Sequence, residues 1–186
     1  MPQGWTIATQ IKPSLIPGAG NGRFTSEPVA AKTIVAVKKT LAVGDIHDAT
    51  DRIPPDVTLT FASTACIEQY LALNAADHPR SEVLNEIAHF MWSLDGEKSY
   101  LNASTWTMNH ADSVDDGLNI EHTVERLEDG STAVVSRAMH DLAADVELKN
   151  NYRDFAIPDF YLGFCAEHGF KDVRSAVLEV VDGVCA

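Results

Sequence analysis

The chain has 186 residues, 45% of them hydrophobic and 22% charged, which suits one globular domain that needs no disulfide or metal staple to fold. No window approaches the ~20 apolar residues of a membrane-spanning helix, so an integral membrane protein and a membrane partner are both excluded at this stage. The formal net charge of −13 repels nucleic-acid phosphates and points to basic proteins or peptides as partners.

That charge is uneven. Lys12, Arg23, Lys32, Lys38 and Lys39 lie in the first forty residues, where Glu27 is the only acid, and nearly all the negative charge follows. Cys66, Cys165 and Cys185 are odd in number and widely spaced, so they make no disulfide framework, which fits a reducing compartment. Cys165 and His168 have half the spacing of a zinc site, but no second pair completes four ligands, so no metal is expected. The start, Met1 to Trp5, has neither the basic nor the apolar region of a signal peptide. An intracellular protein, cytoplasmic or nuclear, is therefore expected.

In chain order, Thr6 to Lys12 alternates as a first strand that Pro13 ends. Ile16-Pro17-Gly18-Ala19-Gly20-Asn21-Gly22 is dense in turn formers, and Arg23-Phe24-Thr25 resumes extended character. Thr33 to Val43 is rich in β-branched residues and reads as one or two strands, and Gly44 to Pro55 as a surface excursion. Thr64 to Ala75 and Ser81 to Leu94 have helical spacing. Ser81 is the expected N-cap of the second, and Val83, Leu84, Ile87, Phe90, Met91 and Leu94 form its apolar stripe. After Tyr100 to Ala103 the chain turns β-rich again. Asn119 to Leu127 and Thr132 to Ala138 alternate around Glu128-Asp129-Gly130, a hairpin turn, and Val146 to Asn150 is a further short strand. Pro158 to His168 reads as a closing helix, with Pro158 in its first turn and Gly169 past its end. Ala176 to Val184 is apolar enough to pair with a second copy or to pack within its own chain. The order strands, helices, strands, helix predicts an α+β fold, mostly β with antiparallel sheets, and not a doubly wound one.

Common catalytic signatures are missing. Gly18, Gly20 and Gly22 do not have dinucleotide-loop spacing, and no Gly-Lys-Ser or Gly-Lys-Thr makes a P-loop. Counted from Asp112, a calcium loop would put Val114 and Thr123 where oxygen ligands are required. No nucleophile elbow is present.

Three separated pieces, in order, resemble the SET-domain family. Ile16 to Phe24 looks like its early glycine-rich turn. Trp106-Thr107-Met108-Asn109-His110, with Asn119 downstream, looks like its Asn-His segment. Glu147-Leu148-Lys149-Asn150-Asn151-Tyr152 looks like its Glu-Leu…Tyr element. The likeness runs from about Thr6 to His168. It implies a single SET domain over 1–186, a pseudoknot of short antiparallel sheets, with a helical insertion at about 45–98 and a C-terminal extension at about 155–186.

The resemblance implies S-adenosylmethionine as cofactor and the methylation of lysine on a basic protein, a histone or another lysine-containing protein, by a monomer or homodimer. Gly20, Asn21, Gly22, Asn109, His110 and Tyr152 are then the cofactor-binding residues, and Tyr152 is the catalytic one. Tyr100 and Tyr161 are weaker candidates for lining the lysine channel, and packing is the better reading of both. A plain tight turn explains the glycines, and a hydrogen-bonded loop an isolated Asn-His pair, as readily as a ligand does. The family's zinc-binding cysteine tail is lacking, so Phe155, Phe160, Tyr161 and Phe164 are the residues left to close the site. Trp106 stands where an arginine is common and Asn151 where an aspartate often precedes the tyrosine. The stretch from His110 to Asn119 is long and acidic, with Asp112, Asp115 and Asp116. Two other classes stay open: a catalytically weak or inactive SET-fold module that binds peptide or cofactor, and a β-rich interaction protein outside the family.

Overall fold

The structure, a computed structural model, describes residues 4–46, 53–54, 56–102 and 107–176. The chain makes two compact units, one from residues 1–39 and 105–152, the other from 40–104 and 153–186. Most of the surface excursion at Gly44 to Pro55, the positions of Ala103 and Trp106, Cys185 and nearly all of the apolar tail lie outside the described residues.

In the first unit, β1 (Thr9–Pro13) pairs antiparallel with β2 (Asn21–Thr25), from Thr9 opposite Thr25 to Pro13 opposite Asn21. The intervening turn closes with Ser14 N donating to Gly20 O at 2.9 Å. Gly18 and Gly20 sit at φ +79° and +70°, a region that a side chain disfavours. Strand β3 (Ile34–Ala42) is one strand, not two, and its first residues pair antiparallel with β9 (Thr132–Ala138), which pairs with β8 (Ile120–Arg126). The β8–β9 turn has the expected glycine, Gly130 at φ +81°, and Asp129 accepts the Ser131 N–H at 3.0 Å. A buried cluster of Trp5, Ile7, Val29, Val35, Met108, Ile120, Leu142 and Leu148 fills this unit.

The expected strand at Val146 to Asn150 is reduced to β10 (Lys149–Asn150), parallel to β7 (Asn109–His110), and a single bridge from Glu147 to Phe24. Leu148 N donates to Arg23 O at 2.7 Å. Residues 147–150 thus touch β2 with one half and β7 with the other, which brings together two strands more than eighty residues apart in sequence.

In the second unit, β6 (Ser99–Asn102) is flanked by β4 (Val57–Phe61) and β5 (Met91–Trp92), both antiparallel to it. Helix α1 (Thr64–Asn74) buries Ile67, Tyr70 and Leu71, and α2 (Arg80–Phe90) buries Val83 and Ile87. Helix α2 is shorter than its apolar stripe predicts. Met91 and Trp92 leave it to pair with Leu101 and Tyr100, so β-pairing overrides the helical period in an apolar run that suits both. Its N-cap is Pro79 rather than Ser81, and Pro79 O accepts the Glu82 N–H at 2.9 Å. The insertion is therefore not purely helical, since it also holds β4 and β5. Helix α3 (Asp159–His168) follows Pro158 and ends at Gly169, left-handed at φ +72°, as the sequence predicts. Among the described residues no helix is long and apolar enough to cross a membrane.

Candidate functional site

A buried carboxylate organises the first unit. Glu147 is 3% exposed, and a charge so placed is tolerated only when donors surround it. It receives the Ser14 hydroxyl at 2.7 Å, the Leu15 N–H at 3.1 Å and the Asn109 side-chain amide at 2.8 Å. Gly22 makes room for it, because a Cβ there would lie 2.1 Å from Glu147 Oε1. The missing side chain at Gly22 thus leaves room for a carboxylate of the same chain. At Gly18 and Gly20, by contrast, a Cβ would meet open space, and there the turn offers its backbone.

Asn109 is also tied inward. Its second amide hydrogen goes to Asn21 O at 3.3 Å, so among the described residues its carbonyl oxygen is what it leaves for a ligand. Asn119 locks the same junction from behind. Its side chain donates to Glu147 O at 2.8 Å and accepts the Lys149 N–H at 2.9 Å.

Tyr152 lies across the 108–110 segment and is anchored at both ends. Its N–H donates to His110 Nδ1 at 3.0 Å and its hydroxyl donates to Met108 O. The two rings lie 5.3 Å apart at 42°. Burial pushes the Tyr152 phenol up to about 12, so at neutral pH it stays protonated. The other ring nitrogen of His110, Nε2, lies 2.9 Å from Asp112 Oδ1. Thr107, two residues before Asn109, has a buried hydroxyl oxygen with no hydrogen-bond partner among the described residues.

The structure therefore brings Asn21, Gly22, Asn109, His110 and Tyr152 together in one unit, with Gly20 at the adjoining turn. Tyr100 and Tyr161 belong to the other unit. The Tyr100 hydroxyl donates to Asp95 at 3.2 Å, the Tyr161 hydroxyl to Ile87 O at 3.2 Å, and both rings are buried. Burial raises both phenols well above the usual range. Each has the contacts of a packing residue. Phe155 and Phe164 are buried in that unit too, Phe155 with its ring 5.4 Å from Trp92. Cys165 lies buried beside the Tyr161 hydroxyl, and His168 stacks on Phe164 at 4.3 Å; among the described residues no group of side chains is placed to hold a metal.

Sequence reasoning missed two residues of this arrangement. Glu147 was legible only as part of a motif, because its partners lie 38, 132 and 133 residues away. Asp112 was legible only as surplus acidity, though an acid two residues after a histidine is within reach of its ring.

Backbone likeness to solved structures agrees with this topology. No protein-family model and no curated protein sequence matches the chain. Among solved structures, ctPRC2 in an autoinhibited conformation bound to S-adenosylmethionine is similar at a TM-score of 0.54 and 16% identity over 88% of this chain. The Chaetomium thermophilum Polycomb Repressive Complex 2 bound to GSK126 is similar at a TM-score of 0.52 and 16% identity over 86%. In each case the likeness spans 17% of the matched chain, so this chain corresponds to about one sixth of it. The first unit's crossed strands, the α+β composition and these neighbours together assign the SET-domain fold.

Proposed function

We propose that the chain is one SET domain acting as an S-adenosylmethionine-dependent protein-lysine N-methyltransferase on a basic protein, a histone or another lysine-containing protein. The observation that carries this reading is the anchoring of Tyr152 at both ends to the segment that holds Asn109 and His110, in the unit that also holds the Gly18 to Gly22 turn.

The residues present fit the cofactor. Open space at Gly18 and Gly20, the Asn109 carbonyl oxygen and the orphaned Thr107 hydroxyl provide polar partners for an amino-acid end and a heterocycle. When bound, S-adenosylmethionine supplies an electrophilic methyl group on a sulfonium.

The chain's own residues then have to present a neutral amine. A free lysine has a pKa of about 10.4, so deprotonation at pH 7 costs about 4.6 kcal/mol. An apolar channel reduces that cost by disfavouring the ammonium. Tyr152 is a weak base, since burial holds its hydroxyl protonated with the hydrogen directed to Met108 O. It therefore orients the amine, and holding reactants in line is worth several kcal/mol. Carboxylates inside such a channel would stabilise the ammonium, so the reading requires them at its mouth, where they would gather a basic peptide.

Transfer of labelled methyl to histones and mixed basic proteins tests the reading. Tyr152→Phe should lower transfer about 100-fold, the scale of losing one positioned hydrogen-bonding group, without abolishing cofactor binding. Equal labelling by both proteins would remove Tyr152 from the mechanism. Binding of S-adenosylmethionine with no transfer to any substrate would leave the fold as a binding module.

A further inference from the structure

The acidic stretch after Asn109-His110 has one member whose carboxylate reaches the Tyr152 anchor. A backbone N–H can only donate, so the 3.0 Å contact from Tyr152 N makes His110 Nδ1 an acceptor. In a neutral imidazole the hydrogen then sits on Nε2, which faces Asp112 Oδ1 at 2.9 Å. The line Asp112, His110, Tyr152 N–H is directional. An acceptor at its outer end fixes the ring's tautomer and plane, and the ring fixes the start of the turn Tyr152–Asp154. The His110 side chain is 14% exposed and Asp112 32%, so the pair is shielded but its outer end meets solvent.

We infer that Asp112 is a positioning residue for methyl transfer: its carboxylate holds His110 in the Nε2–H tautomer, and His110 in turn holds the backbone of Tyr152. This rests on the reading of Tyr152 given above and adds a residue that touches neither substrate nor cofactor. The principle matches other sites in which a carboxylate sets the tautomer of a working imidazole, where reversing the tautomer is severe. Here the imidazole acts one step further from the reacting atoms, so a smaller effect follows.

Nitrogen-15 spectra of the His110 ring in the full chain test it without any variant. The expected pattern is a protonated Nε2 and an unprotonated Nδ1 at pH 7.5; a protonated Nδ1 would overturn the inference. Asp112→Ala should remove the slowly exchanging Nε2–H signal, raise solvent exchange of the Tyr152 amide about tenfold, and lower kcat about tenfold. Asp112→Glu, which keeps a carboxylate, should restore most of each. If Asp112→Ala leaves the ring signals and the Tyr152 amide as they were, Asp112 positions nothing. If those signals change while even the unaltered protein transfers no methyl, the positioning stands and the enzymatic reading fails.

Discussion

Two carboxylates are equally buried, one in each unit, and they do opposite things. Asp172, 3% exposed, accepts the N–H groups of Arg174 at 3.0 Å and Ser175 at 3.2 Å, so it caps the helical turn that follows it. Among the described residues, the carboxylate of Glu147, also 3% exposed, takes its hydrogen bonds from donors at least 38 residues away in sequence. One stabilises a local element that has its own reason to form. The other ties together segments that are distant in sequence. Burial alone does not mark a structural keystone; the sequence distance of the partners does.

That contrast can be broken by substitution. Glu147→Ala leaves the Asn109 amide, the Leu15 N–H and the Ser14 hydroxyl without their acceptor, so it should destabilise the chain by about 4 kcal/mol and abolish S-adenosylmethionine binding. Urea unfolding read beside calorimetry checks both. Gly22→Ala drives a methyl into the same carboxylate and should cost about 3 kcal/mol, with wild-type stability sinking the close-approach argument. Asp172→Ala should cost only about 1 kcal/mol and leave the fold of the first unit intact. Equal losses in Glu147→Ala and Asp172→Ala would erase the distinction.

A half-buried imidazole sharpens the same point within the first unit. His122 on β8 bonds to the Ser136 hydroxyl at 2.9 Å, and burial pushes its pKa down to about 4 from the usual 6.5. The unfolded chain therefore takes up the proton first. Stability is complete above pH 6.5 and is lost as pH falls from 6.5 towards 4, by up to roughly 3 kcal/mol. Comparing urea midpoints at pH 7.5 and 4.5 for the unaltered protein and His122→Gln isolates this, since the variant should lose less stability on acidification. An equal loss in both would mean that the ring is not held neutral by burial.

Much of the fold was legible because its signals are local. Glu128-Asp129-Gly130 set the β8–β9 hairpin, and Pro158 with Gly169 bounded α3 within a residue. The errors lie where two local rules agree with the same residues. Phe90-Met91-Trp92 satisfies a helical stripe and a buried strand alike, and only the partners Leu101 and Tyr100 decide between them. Strand β4 went unread although Val57-Thr58-Leu59-Thr60-Phe61 alternates. The site was legible as three motifs but not as a network. That Gly22 faces Glu147, and that the amide of Asn109 is already engaged, are facts of tertiary distance that no spacing in the sequence encodes.

The most direct test of the account is to titrate S-adenosylmethionine into nitrogen-15-labelled protein and follow the backbone amides. Saturable shifts should concentrate at Gly18 to Gly22, Thr107 to Ala111 and Asn150 to Tyr152, three stretches of the first unit. Absence of any saturating shift, or shifts confined to residues 56–102, would contradict the claim that those stretches form a cofactor site.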